Sequence, residues 1–372
     1  MRSLFFVLMC LAATCIAAQA AGENIVTLNV EPTKEHPRNS EGSFATLKSG
    51  RILFYYSQFY GGGADDSPAR LVEIHSDDKG RTWSEPKTVV ENGAGNNVMS
   101  VSLLRLKSGK LALIHIVKNS WLDCRPYMRT STDEGVTWSE PKALFDAPGY
   151  FVLNNDRVVQ TSTGRLIAPV AFHRSRTANP KGGSSFDARG IAMWYLSDDE
   201  GATWHEASTW WAAPKANGSG MQEPGVVELS QGHLMSWTRT AMGSQYAMHS
   251  TDDGKSWSPP VPTELMSPTS PASIRKLPGT EDLLVLFNDH SGKYPLPKNK
   301  NTRTPFVAAI SSDGGKTWPV RKLLEDDPTG CYCYTAVHFV DDAVLLGYCA
   351  GDAKVGGLNR LRIRRITLDW LK

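Results

Sequence analysis

The stretch Ser131 to Pro141, STDEGVTWSEP, crowds acids, hydroxyls and an indole into eleven residues. Such polar density suits an active site, but the pattern is not unique. SDDKGRTW begins at Ser76, SDDEGATW at Ser197, STDDGKSW at Ser250 and SSDGGKTW at Ser311, and all five fit Ser-x-Asp-x-Gly-x-Ser/Thr-Trp. Their starts lie from 250 − 197 = 53 to 197 − 131 = 66 residues apart, a period that marks repeated supersecondary units. Five equal active sites in one chain are implausible, so the stretch reads as a turn device. Its Asp accepts backbone N–H groups, its Gly takes the left-handed position, its hydroxyls bond locally and its Trp fills the gap between strands.

A second element recurs around the boxes: LKSGRIL from Leu47, LKSGKLAL from Leu106, TSTGRLIA from Thr161, LSQGHLM from Leu229 and LPGTEDLLVL from Leu277. A sixth, FVDDAVLLGY from Phe339, has no box after it. Each reads as a β-hairpin, apolar residues alternating on both sides of a turn that needs positive φ. One period matches one four-stranded sheet, so six hairpins imply an all-β fold, a six-bladed β-propeller with five boxes. The strand NIVTLNV from Asn24 and the final RLRIRRITLDWL from Arg360 are expected to share the last blade and close the ring.

The 372 residues carry a formal net charge of +2 with no long run of one sign, which gives no nucleic-acid footprint. Arg2, the apolar run Leu4 to Ala18 and then Ala18-Gln19-Ala20 resemble a secretory signal peptide over residues 1–20. Thr14 before Cys15 argues against a lipoprotein signal. The expectation is a mature chain, 21–372, that is one domain without a membrane span, secreted or periplasmic. Cys124, Cys331, Cys333 and Cys349 remain in it. Cys331 or Cys333 could pair with Cys349, or the thiols could stay free and buried. No metal-ligand spacing and no Gly-rich phosphate loop stand out, and no cofactor is expected.

The five motifs match the Asp-box, or bacterial neuraminidase repeat, and the whole mature chain resembles the sialidase superfamily of six-bladed propellers. The box specifies a blade better than a function, since unrelated propellers use it. The resemblance directs attention to short segments near the starts of blades. Arg38 in EHPRNSEGSF resembles the family's first arginine, although His36-Pro37-Arg38-Asn39 replaces the usual tetrad. Asp65 and Asp66 follow the glycines Gly61 to Gly63 where sialidases carry an acid/base aspartate, and register counted back from Leu71 favours Asp66. The family's additional arginine near Gly61 is missing. Glu223 in QEPGVVEL is costly to bury without a partner, and with Arg239 it resembles the family's glutamate and second arginine. Arg303 resembles the third. Tyr334 in TGCYCYTAVHF resembles the family tyrosine, with Tyr332 as the fallback at strand period two. Asn155, Asp156, Arg157 and His173 open the third blade and are read as groups for substrate hydroxyls or an N-acyl group, with an Asp–Arg brace as the alternative.

Three arginines in one place call for an anion, and guanidinium matches a carboxylate bidentately. A sugar with a carboxylate on its anomeric carbon also repels a carboxylate nucleophile, which suits a tyrosine. The resemblance therefore implies an exo-α-sialidase-like retaining glycoside hydrolase acting on sialylated or related ulosonic-acid glycans. Tyr334 would be the nucleophile, Glu223 its base, Asp66 the acid/base, and Arg38, Arg239 and Arg303 the carboxylate site. The alternatives are a hydrolase of another 2-keto-3-deoxy sugar acid, a carbohydrate-binding propeller without turnover, and an Asp-box lyase.

Overall fold

Every hairpin named above turns on a residue with positive φ: Gly50, Gly109, Gly164, Gly232 and Gly279, and in the sixth Asp341 at φ 51°. Strands extend from both sides of each turn in a computed structural model that describes residues 22–176 and 186–372. The expected signal peptide, residues 1–20, lies outside the described residues. Among these the fold is all-β, with helix only at Leu368–Leu371, and its sheets are consistent with a β-propeller.

The first unit is the antiparallel sheet Arg38–Thr46, Ile52–Phe59, Ala69–Ser76 and Lys87–Val90. Two further four-stranded sheets start at Gln222–Ser230 and at Ser273–Lys276. Between them and the first unit lies a nine-stranded sheet. It is two units fused, because Tyr150–Val152 pairs in parallel with Asp123–Ser131 and antiparallel with Leu166–His173. The last sheet is built from Cys331–Val340, Ala343–Gly351 and Leu361–Thr367, and Asn24–Val30 completes it, with Val30 opposite Leu361. The two chain ends therefore close one sheet, as the sequence suggested.

All five boxes fold alike. In the first, Thr82 N and Oγ1 bond the two Asp78 oxygens at 2.8 and 2.6 Å, and Gly80 N bonds Ser76 Oγ at 2.8 Å. Asp133, Asp199, Asp252 and Asp313 repeat the pattern. Gly80 is required twice over: its φ is +84°, and a Cβ there would stand 2.6 Å from Leu345 of the last unit. The box tryptophans then fill the seams. Trp83 packs between the last and first units, Trp138 between the first and second, Trp204 between the second and third, Trp257 between the third and fourth, and Trp318 between the fourth and fifth. The seam between the fifth and sixth units has no box. Trp370 and Leu371 of the terminal helix pack there instead. Trp370→Ala should cost about 2 kcal/mol, less than the roughly 3–5 kcal/mol of a fully buried tryptophan because Trp370 is half-buried. A urea titration checks this, and an unchanged midpoint would show that the helix closes nothing.

One further feature positions the site. The first strands of four units slip register, between Ser40 and Ser43, Met99 and Ser102, Gln222 and Gly225, and Cys333 and Ala336. Each slip holds a non-glycine residue in the left-handed region: Glu41 at 58°, Ser100 at 59°, Glu223 at 49° and Tyr334 at 57°. In the third unit the corresponding residue is Asp156, at 56°. Each costs on the order of 1–3 kcal/mol in strain and turns a side chain out of the alternation of its strand.

Candidate active site

Four of these bulge residues, Glu41, Ser100, Glu223 and Tyr334, line a single cleft of about 210 Å³. On Gln222–Ser230, the Glu223 carboxylate meets Arg239, whose Nη1 donates to both oxygens at 2.9 Å. The Tyr334 hydroxyl donates to Glu223 Oε1 at 3.2 Å, and Arg239 Nη1 also reaches that hydroxyl at 3.4 Å. The Arg303 guanidinium carbon lies 5.2 Å from the centre of the Tyr334 ring, and its Nη1 donates to Cys333 Sγ at 2.9 Å. Burial, and then the nearby negative charge of Glu223, push the Tyr334 phenol above its ordinary pKa, while Arg303 and Arg239 oppose the rise. A phenol so placed reacts only with a base beside it, and Glu223 is that base by position.

Behind the cleft residues Glu41 and Asp65, and not itself part of the lining, Arg38, 1% exposed, lies over the Phe59 ring at 4.4 Å. It donates to Asp65 Oδ1 at 2.6 Å and to Glu41 Oε1 at 3.3 Å. Burial pushes the Glu41 carboxyl up to about 7 even though Arg38 pulls it down. For Asp65 burial acts the same way, but Arg38 outweighs it and holds the carboxyl below its ordinary value. Trp121, Tyr150 and Phe186 give the cleft an apolar wall. Lys118 Nζ sits 4.4 Å from the Trp121 ring and donates to the Asp65 carbonyl at 3.0 Å.

Residues 55–346 match the BNR repeat-like domain family, most of the chain. The protein belongs to this family, within the sialidase superfamily. A sialidase of Micromonospora viridifaciens is 27% identical over 293 residues, 69% of this chain and 42% of that protein. A sialidase of Bacteroides fragilis (strain YCH46) is 25% identical over 342 residues, 80% of this chain and 57% of that protein. The chain thus spans about half the length of these curated relatives. Among solved structures, the NanB sialidase from Streptococcus pneumoniae superposes with a TM-score of 0.72 at 16% identity, covering 94% of this chain and 71% of that one, a likeness of fold.

This BNR-repeat protein departs from its sequence reading at several positions. Asp65, not Asp66, lines the cleft and meets Arg38, although both aspartates are exposed on the loop. Register counted back from Leu71 fails because the strand begins only at Ala69, and Ala64–Ser67 form a turn closed by Ser67 N to Ala64 O at 3.0 Å. Tyr332 packs against Phe306 and Tyr348 between the fifth and sixth units, 5% exposed and away from the cleft. The left-handed turn at Tyr334 breaks the period-two relation that put both tyrosines on one face.

Asn155, Asp156 and Arg157 also lie off the cleft. Asn155 Nδ2 bonds the carbonyls of Gly42 and Tyr334 at 2.8 and 3.0 Å. Asp156 accepts from Arg275 at 2.6 Å and Ser43 at 2.9 Å, and Arg157 donates to the Ala272 carbonyl at 2.7 Å. They tie the first strands of different units together, and the acid's ionic partner is Arg275 rather than Arg157. Their neighbour Asn154 lines the cleft, as does His173. Sequence reasoning missed Glu41, Ser100, Lys118 and the aromatic wall as site components. Lys118 could have been suspected from its place in the apolar strand LALIHIVKNS, where an ammonium needs a reason to be buried.

Proposed function

We propose that this chain is an exo-α-sialidase-like retaining glycoside hydrolase that releases terminal sialic acid from glycoconjugates, built as a six-bladed propeller with five Asp boxes and acting in a secreted or periplasmic setting. The observation that carries the reading is the Tyr334 hydroxyl at 3.2 Å from a Glu223 carboxylate that Arg239 also holds, with Arg303 at the tyrosine ring.

Glu223 takes the phenolic proton as Tyr334 oxygen attacks the anomeric carbon, and the glycosidic oxygen leaves with a proton from Asp65, which replaces Asp66 in this role. Water activated by Asp65 then attacks the same carbon, and Tyr334 leaves and recovers its proton from Glu223. Two displacements retain configuration. Arg38, Arg239 and Arg303 bind the substrate carboxylate. That carboxylate competes with Asp65 for Arg38, so binding removes the cation that keeps Asp65 ionised and adds an anion beside it. Both changes raise its pKa, which arms Asp65 as an acid only when substrate is present.

Incubation with a fluorogenic α-sialoside should give turnover. Failure to turn over any ulosonic glycoside from acid to neutral pH would sink the proposal, and glycan retention without product would point to a binding module. Arg303→Ala should weaken a carboxylate-bearing inhibitor about 10- to 100-fold, the value of one charge-assisted contact. Unchanged affinity would remove Arg303 from the carboxylate site.

A further inference from the structure

Beside Arg303 and Tyr334 lie three thiols that the mechanism does not use. Cys331, Cys333 and Cys349 are all reduced; Cys331 is half-buried, and Cys333 and Cys349 are 1% and 0% exposed. Cys333 stands directly opposite Cys349 on the neighbouring antiparallel strand. Residues so paired have Cα atoms about 4.5–5.5 Å apart, inside the span of about 4.4–6.8 Å that a disulfide bridges. Cys333 immediately precedes Tyr334, and its sulfur receives Arg303 Nη1 at 2.9 Å. One side chain therefore touches a proposed substrate arginine and flanks the proposed nucleophile.

We propose that Cys333 and Cys349 form a peroxide-reactive thiol pair whose oxidation closes the active site. The step requires a hydroperoxide small enough to pass beyond the cleft, whose lining does not include Cys333, to a buried sulfur. The Cys333 thiolate attacks one peroxide oxygen and the O–O bond breaks. Cys333 becomes a sulfenic acid, and the other oxygen leaves as water after taking up a proton. Cys349 sulfur then displaces the hydroxyl from Cys333, forming the S–S bond and releasing a second water. Two thiols and one hydrogen peroxide give one disulfide and two waters. Burial opposes ionisation of Cys333, but hydrogen bonds from Cys331 and Cys349 and the charge of Arg303 hold its thiol well below the ordinary value. A neighbouring cation that favours the thiolate is one feature of oxidant-sensitive cysteines. The other, solvent access, is slight at Cys333, which is 1% exposed, so its oxidation depends on local opening of the strand pair. Once bridged, Cys333 no longer offers Arg303 a thiolate, and the base of the Tyr334 bulge is tied to the next strand.

The loss of turnover rests on the proposed function; the cross-link does not. The full chain is titrated with hydrogen peroxide, free thiols are alkylated, and peptides are mapped by mass spectrometry while α-sialoside turnover is followed. Expected are a Cys333–Cys349 cross-link and a fall in turnover of about 10-fold, the value of one charged contact, restored by dithiothreitol. Cys349→Ala should keep basal turnover, form no cross-link and lose turnover irreversibly as Cys333 proceeds to the sulfinic acid. Oxidation of Cys331 alone, a Cys331–Cys333 link, or an unmodified Cys333 at peroxide levels that oxidise exposed methionines would overturn the thiol pair. A cross-link with undiminished turnover would overturn the closure. A cross-link in a protein with no sialoside turnover before oxidation would instead tell against the proposed function, and the closure would then be read as weakened binding of a carboxylate inhibitor, unchanged binding overturning it.

Discussion

Tyr334→Phe should lower kcat for an α-sialoside by on the order of 10³-fold or more, the scale seen when a covalent nucleophile is removed. The ring stays, so Arg303 keeps the aromatic face it lies over. Glu223 keeps both contacts from Arg239 and loses only the hydroxyl. Affinity for a carboxylate-bearing inhibitor should therefore stay within a few-fold, and stability should change by about 1 kcal/mol, the net worth of one hydrogen bond. A variant that loses turnover and inhibitor binding together has lost its site rather than its nucleophile. A variant that keeps wild-type turnover would show that the phenol takes no part in bond making.

Asp65→Asn compared with Asp66→Asn should give the second largest difference, and it separates the proposed assignment from the one that register suggested. An amide cannot protonate the leaving oxygen, so Asp65→Asn should cost about 10²- to 10⁴-fold on a natural alkyl glycoside. With an aryl leaving group that departs unaided the first displacement should suffer much less, and the defect should shift to the water step. Asp66→Asn should stay within about two-fold, as exposed surface changes away from the chemistry do. The reverse result would mean that the loop following Gly61 and Gly62 refolds on binding and brings Asp66 inward.

The repeat carried the fold because it is local chemistry. A box needs Asp, Gly and Trp at fixed offsets, and each hairpin needs a residue that tolerates positive φ, so both are written in short windows. Glu223 was legible for a related reason: a carboxylate among apolar neighbours must be partnered. The errors arose where alternation was assumed to continue. Nothing in CYCYT announces that Tyr334 takes φ 57° and leaves Tyr332 in the core, and nothing in ADDS announces the turn that brings Asp65 to Arg38. Asn155 and Arg157 are polar and buried and Asp156 half-buried, as a site would be, but their partners Tyr334, Arg275 and Ala272 lie more than a hundred residues away, beyond any window. Glu41 was passed over because three residues after Arg38 it reads as an ordinary surface partner, whereas it is 3% exposed.

The left-handed residues Glu41, Ser100, Asp156, Glu223 and Tyr334 occupy one equivalent place in five of the six units, the unit that starts at Ser273–Lys276 being the exception. Each amounts to a socket whose shape is set by backbone and whose contents are set by one side chain. Exchange at a socket leaves seams, boxes and hairpins untouched, so chemistry can be rewritten there at little expense to folding. Four sockets in this chain hold an acid, a hydroxyl, a second acid and a phenol that face the cleft, while the fifth holds an aspartate spent on bracing. A scaffold of this kind explains how one architecture passes between reactions: the repeats are the constant frame, and the sockets are where a lineage experiments.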